Sequence, residues 1–244
     1  MPDLASLVSS GLTPALTLAT LDRHLGWALV LTTVTLFMLQ RAPRFVRFAL
    51  AAIMFMITIA PTTWSLSHWL GLAYQTPSLV TQGLALFYLL RTFSFSGAAW
   101  HRQIPADAKW PLSALLAGSA LGWILVLDTF AAFPVSLYTL GYSEGVVIFG
   151  LVLAAAFWAI SLRAADAPEG QRLRHLAVVL LCAAAIHTFT RLPSGNAWDM
   201  MLDPWLWLVI QGTLLARCIR FLARKFKGGK VKVPAGTATS SGAI

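Results

Sequence analysis

The chain has 244 residues, of which 58% are hydrophobic and 11% charged. A soluble domain carries about 25% charged residues, so this chain is too poor in charge to cover a water-facing surface and reads as an all-α integral membrane protein. Its net charge of +9 does not indicate a nucleic-acid partner, because the basic residues punctuate apolar runs and form no continuous patch that could track phosphates.

The N-terminal stretch has no basic side chain before Arg23, so it lacks the n-region of a signal peptide and is expected to be retained. Seven apolar segments reach spanning length, at approximately 21–40, 44–61, 77–96, 111–132, 144–163, 173–191 and 204–224. Residues Leu12–Ala19 either extend the first or lie along the membrane interface.

Lys and Arg orient these segments. Arg41, Arg44 and Arg47 lie in the turn after the first and at the start of the second; Arg91 lies at the inner end of the third, and Arg102 and Lys109 follow it. Arg163, Arg172 and Arg174 surround the turn after the fifth, and seven more lie between Arg217 and Lys232. Sixteen of the 18 thus fall on one side, and only Arg23 and Arg191 on the other. Seven transmembrane helices with the N-terminus outside and the C-terminus cytoplasmic follow from this asymmetry. Residues 1–226 form one polytopic domain, and the Gly/Ser/Thr/Ala-rich tail at 227–244 is expected to be disordered. The expected partner is the lipid bilayer of a plasma membrane, with a bacterial inner membrane as the setting.

Between the second and third segments lies PTTWSLSHWLGLAYQTPS, residues 61–78. Leu66, Trp69, Leu70 and Ala73 recur at helical spacing, with Ser67, Gly71 and Tyr74 facing another way. A short amphipathic helix lying flat at the outer interface is expected, its Trp and Tyr at headgroup depth. The loop RLPSGNAWDMMLDPW is expected to lie at the interface in the same manner, through Trp198, Met200, Met201 and Leu202.

Pro77 and Pro204 open the third and seventh segments, and each segment carries a Gln-Gly pair, Gln82-Gly83 and Gln211-Gly212. These features suggest a 3+1+3 parallel repeat about the membrane normal. In span count, orientation and length the arrangement resembles the SWEET and PQ-loop sugar transporters; heptahelical receptors share the orientation. Those transporters hinge on Pro inside their spans, often as Pro-Gln; here every Pro lies in a loop, a terminal segment or a span end, and no Pro-Gln pair occurs. The fourth segment carries Ala114, Gly118 and Gly122 at four-residue intervals, a row suited to close helix packing or, as the weaker reading, to a homo-oligomer or membrane-protein partner.

Ionisable groups at membrane depth are costly and therefore the first functional candidates. Asp128 and Glu144 lie near the outer side, His187 and Arg191 share a helix face, and His68 belongs to the interfacial stretch. An outward-opening polar cavity is expected, with Asp128 paired to Arg191 and Gln82 or Gln211 lining a path. His68, Asp128, His187, Arg191, Gln82 and Gln211 are the candidate ligand-binding residues. Cys182 and Cys218 show no metal-ligand spacing, no HxxxH or HExxH pattern occurs, and Ser119 lacks the context of a serine nucleophile. No cofactor or metal is expected. The leading functional expectation is a small-solute permease or carrier rather than an enzyme. The alternatives are a non-catalytic assembly subunit and an enzyme acting at the outer face through His68, His187 and Asp128.

Overall fold

The structure is a computed structural model that describes residues 17–93, 110–164 and 167–228, with side chains through 225. The described residues are helical, without a strand: α1 Leu18–Met38, α2 Arg44–Ile59, α3 Leu66–Tyr74, α4 Leu79–Phe93, α5 Leu112–Thr129, α6 Glu144–Leu162, α7 Pro168–Thr190, α8 Ala197–Met201 and α9 Pro204–Gly228. A 3-10 helix, Tyr138–Tyr142, precedes α6. Within the described residues, each of the seven apolar segments is largely helical. Four of them, in α5, α6, α7 and α9, are long and apolar enough to cross a membrane. Arg102, Lys109, Lys230, Lys232 and the tail from 229 onward lie outside the described residues.

Local chemistry sets the helix starts. Thr17 accepts a hydrogen bond from Thr20 N at 3.2 Å, Ser65 from His68 N at 3.2 Å, Ser78 from Thr81 N at 3.1 Å and Asn196 from Trp198 N at 2.9 Å. Asp203 accepts from Leu206 N at 2.8 Å, with Pro204 at the first helical position, where its missing N–H costs nothing. Helix α7 starts on Pro168 and ends with Arg191 in the left-handed region at φ 57°.

Helices α1 and α2 pack as one pair and α6 and α7 as another, with α4 between α1 and α7. The larger apolar core joins α4, α6, α7 and α8 around Ala154, Phe157, Ala177, Leu180 and Met200. A 3+1+3 repeat would set α9 against α6 as α4 is set against α1, but α9 packs mainly on α5. The Gln-Gly pairs also differ in surroundings, since Gly83 meets Val179 of α7 whereas Gly212 faces open space.

The row on α5 is an internal packing seam. A Cβ at Gly118 would lie 2.7 Å from Ile210 Cδ1, and one at Gly122 would enter the Trp207 ring, so both glycines receive side chains of α9. Ser119 and Gln211 close the same seam, with Gln211 Nε2 donating to Ser119 Oγ at 2.9 Å.

One of the two expectations about the short helices changes. Helix α3 forms where the period placed it, with Leu66, Trp69 and Ala73 pointing outward and Ser67 fully buried on its inward face. Helix α8 does not lie on a surface: Ala197, Met200, Met201 and Leu202 are buried. Its apolar side chains plug the space between α6, α7 and the 3-10 helix.

Candidate functional site

The start of α1, the 60–78 connection, the 130–143 connection and the 191–203 connection meet at one end of the molecule. Three consecutive residues of α1 point three ways there, because a helix turns about 100° per residue. His24 faces α2 and α3. Its Nδ1 meets Ser67 Oγ, the ring also bonds to the Thr58 backbone, and Ser67 Oγ continues to Ser65 Oγ at 3.0 Å. Asp22 faces α4, where Gln82 Nε2 donates to its Oδ1 at 3.1 Å and to Pro77 O at 3.0 Å. Asp22 Oδ2 is buried without a hydrogen-bond partner.

Arg23 lies between these two. Its aliphatic stem runs across Gly71 of α3, so closely that a Cβ there would collide with Arg23 Cδ. The guanidinium makes no hydrogen bond or ion pair with a described residue. Beyond it α3 ends at Gln75, whose φ of 62° turns the chain, and Trp27 Nε1 donates to Gln75 O at 2.8 Å to hold that turn.

The facing wall comes from the 191–203 connection. Asp203 is buried and ties three elements together: it accepts from Ser78 N at 2.9 Å, from the Thr81 hydroxyl and from Leu206 N at 2.8 Å. It thereby caps α9 and staples α4 to it. Asp199 Oδ2 accepts from Tyr138 OH at 2.8 Å and from Ser194 Oγ at 2.5 Å. Burial, followed by the hydrogen bond to Asp199 and that carboxylate's charge, raises the ionisation of the Tyr138 phenol above its ordinary value, so the hydroxyl stays a donor.

Between these walls is a cavity of about 390 Å³, lined by Arg23, Gly71, Tyr74, Asp199, Asp203 and Pro204 among others. The Tyr74 and Trp205 rings meet edge to face at its rim, with centroids 5.0 Å apart. An arginine and carboxylates in one lining suit a small polar ligand that carries charge.

The six residues expected from sequence do not converge on this cavity. Gln82 stands behind it, holding Asp22 and the Pro77 carbonyl. His68 is half-buried on α3 and lies edge-on to Trp69, with ring centroids 5.9 Å apart. Asp128 does not take Arg191 as its partner. Its carboxylate anchors the next connection through Leu137 N at 2.9 Å, Tyr138 N at 2.8 Å and Ser136 Oγ at 3.0 Å. His187 is fully buried, with Nδ1 bonded to Leu192 O at 2.6 Å and Nε2 without a partner. Arg191 is exposed and serves through its backbone, donating to His187 O and accepting from Gly195 N, each at 2.7 Å. Gln211 belongs to the α5–α9 seam.

The residues that do line the cavity gave one local signal, the Asp203-Pro204 dipeptide of a capped helix start. Nothing local to Arg23 or Asp199 marks them as sharing a cavity, since 176 positions separate them and only the tertiary fold brings both into one lining. Among the described residues no group of three or more His, Cys, Asp or Glu is placed to hold a metal ion. No protein-family model, curated protein or solved structure matches this chain.

Proposed function

We propose that the protein is a small-solute carrier that spans a plasma membrane seven times, with the cavity end facing away from the cytoplasm. The observation that carries this reading is the charged cavity of about 390 Å³ between α1, α3 and the start of α9. Its size falls in the range of small-molecule sites, about 300–1,000 Å³, and it lies at the end that carries few basic residues. The opposite end gathers them: Arg217 donates to Trp110 O and the Arg172 guanidinium stacks over the Trp110 ring at 5.2 Å. Asp199 is fixed by two hydroxyl donors and Arg23 has no hydrogen-bond or ion-pair partner among the described residues, an arrangement suited to receiving a ligand.

The test is uptake into vesicles reconstituted with the purified protein. Saturable accumulation of a charged small solute, reduced in Arg23→Gln, is the expected result. Vesicles that accumulate none of a broad solute panel, alongside a stable complex with another membrane protein in mild detergent, would move the assignment to an assembly subunit.

A further inference from the structure

We propose that the cavity binds a small zwitterion, a molecule with a carboxylate and an ammonium group on a short apolar body. The inference rests on the carrier reading for its biological use, but it concerns binding alone. Arg23 supplies a planar fork of N–H donors, matched in geometry to a carboxylate. Its stem is seated on Gly71, which lets the side chain lie flat along α3 and reach the cavity wall. No described residue neutralises it, and neither Asp199 nor Asp203 is ion-paired to it. A cation beside two carboxylates that nonetheless pairs with neither leaves a gap for a molecule that pairs with both.

The two acids differ in what they offer. Asp203 is spent: both oxygens accept protein hydrogen bonds, and its charge faces the positive end of the α9 dipole. Asp199 is not. Both of its donors, Tyr138 OH and Ser194 Oγ, fall on Oδ2, and Oδ1 receives none from a described residue. The lining of one cavity therefore holds a cation and an open carboxylate oxygen, each without a partner among the described residues. A simple anion would meet Arg23 but be repelled by Asp199, and a simple cation would meet the reverse. Only a molecule carrying both charges satisfies both walls. Leu72, Pro193 and Leu202 complete the lining and give an aliphatic body a place to rest.

The experiment is isothermal titration of the full-length protein in phosphatidylglycerol nanodiscs. The probes are L-leucine, its de-aminated counterpart 4-methylpentanoate and its de-carboxylated counterpart isopentylamine. Leucine is expected to bind, with each half-molecule weaker by about tenfold or more, because each leaves one charged wall unpaired. Arg23→Gln is expected to abolish the preference for leucine over isopentylamine, and Asp199→Asn the preference for leucine over 4-methylpentanoate. A second set of discs made of phosphatidylethanolamine distinguishes a free zwitterion from a lipid headgroup bearing the same charge pair. Leucine binding lost only in those discs assigns that charge pair to the headgroup.

Failure of leucine to bind in phosphatidylglycerol discs, or binding of either half-molecule as tightly as leucine, would overturn the proposal. Arg23→Lys separates chemistry from folding: it keeps the charge and the stem, so retained but weakened binding is expected, and complete indifference to both Arg23 variants also overturns it. Binding without uptake would remove the carrier reading and leave the zwitterion site standing. Uptake of other solutes without leucine binding would do the opposite.

Discussion

At Gly71 helix α3 has room for a hydrogen and little else, because the Arg23 stem lies against it. Gly71→Ala forces Arg23 into another rotamer, an adjustment that costs about 1 kcal/mol. The expected outcome is a small fall in thermal stability in detergent together with a clear loss of leucine binding. Gly122 makes the contrasting case. A Cβ there enters the Trp207 indole, which Trp123 backs edge to face at 5.2 Å, so the ring has little freedom to withdraw. Gly122→Ala is expected to cost about 1–3 kcal/mol, read from the same unfolding measurement. Tyr138 carries a pH prediction. Its ionisation is raised in the folded protein, so above the unfolded value of 10.0 only the unfolded state loses the proton. The stability from this group is complete below that pH and declines as pH climbs past it. Unfolding midpoints followed from pH 8 to 11 should fall more steeply in the wild type than in Tyr138→Phe (the range spans the phenol's ordinary value).

At the scale of elements, the helical period located α3 correctly but did not say which face turns inward. In water the apolar face would be buried. Here Ser67 is buried against His24, and Trp69 is outside at 59% exposure. This arrangement suits a helix whose outer surroundings are lipid, where polar groups find partners only inside the protein. Helix α8 has a similar Trp- and Met-rich composition and the opposite fate, because Asn196 bonds to Tyr138 O at 3.0 Å and draws it beneath the 3-10 helix. Composition alone could not separate the two cases. The α5–α9 seam allows a direct measurement. A double-mutant cycle on Ser119→Ala and Gln211→Ala should give a coupling of about 0.6 kcal/mol, the usual size for a hydrogen bond between membrane helices. A coupling near zero would mean that the glycine contacts alone hold the seam.

At the scale of the whole molecule, the outer faces of the long helices are apolar: Val152 is 60% exposed, Val209 65% and Phe221 67%. A contiguous surface of this kind is a liability in water and ordinary against lipid. The seven-span arrangement proposed above predicts a labelling pattern. In a background with Cys182 and Cys218 replaced by Ser, a cysteine at Ser194 should react with an impermeant maleimide added to intact cells. One at Lys225 should react only after permeabilisation, and the reverse pattern would invert the proposed orientation.

The sequence by itself determined the all-helical class, the approximate limits of the seven apolar helices and the alternating distribution of Lys and Arg among the connections. These follow from period, length and charge count, which are properties of contiguous residues. Tertiary structure alone decided which polar residues share a cavity, Arg23 with Asp199 and Asp203. Asp128 and His187 stood out in the sequence because charge and imidazole are rare in apolar helices, yet the Asp128 carboxylate and His187 Nδ1 are held by the turns beside them. Arg23 and Asp199 lie in connections and helix starts, where charge is ordinary, and they share a cavity only because the fold brings both into one lining. A polar residue's rarity is written along the chain; whether a hydrogen-bond partner is already at hand depends on neighbours far away in sequence.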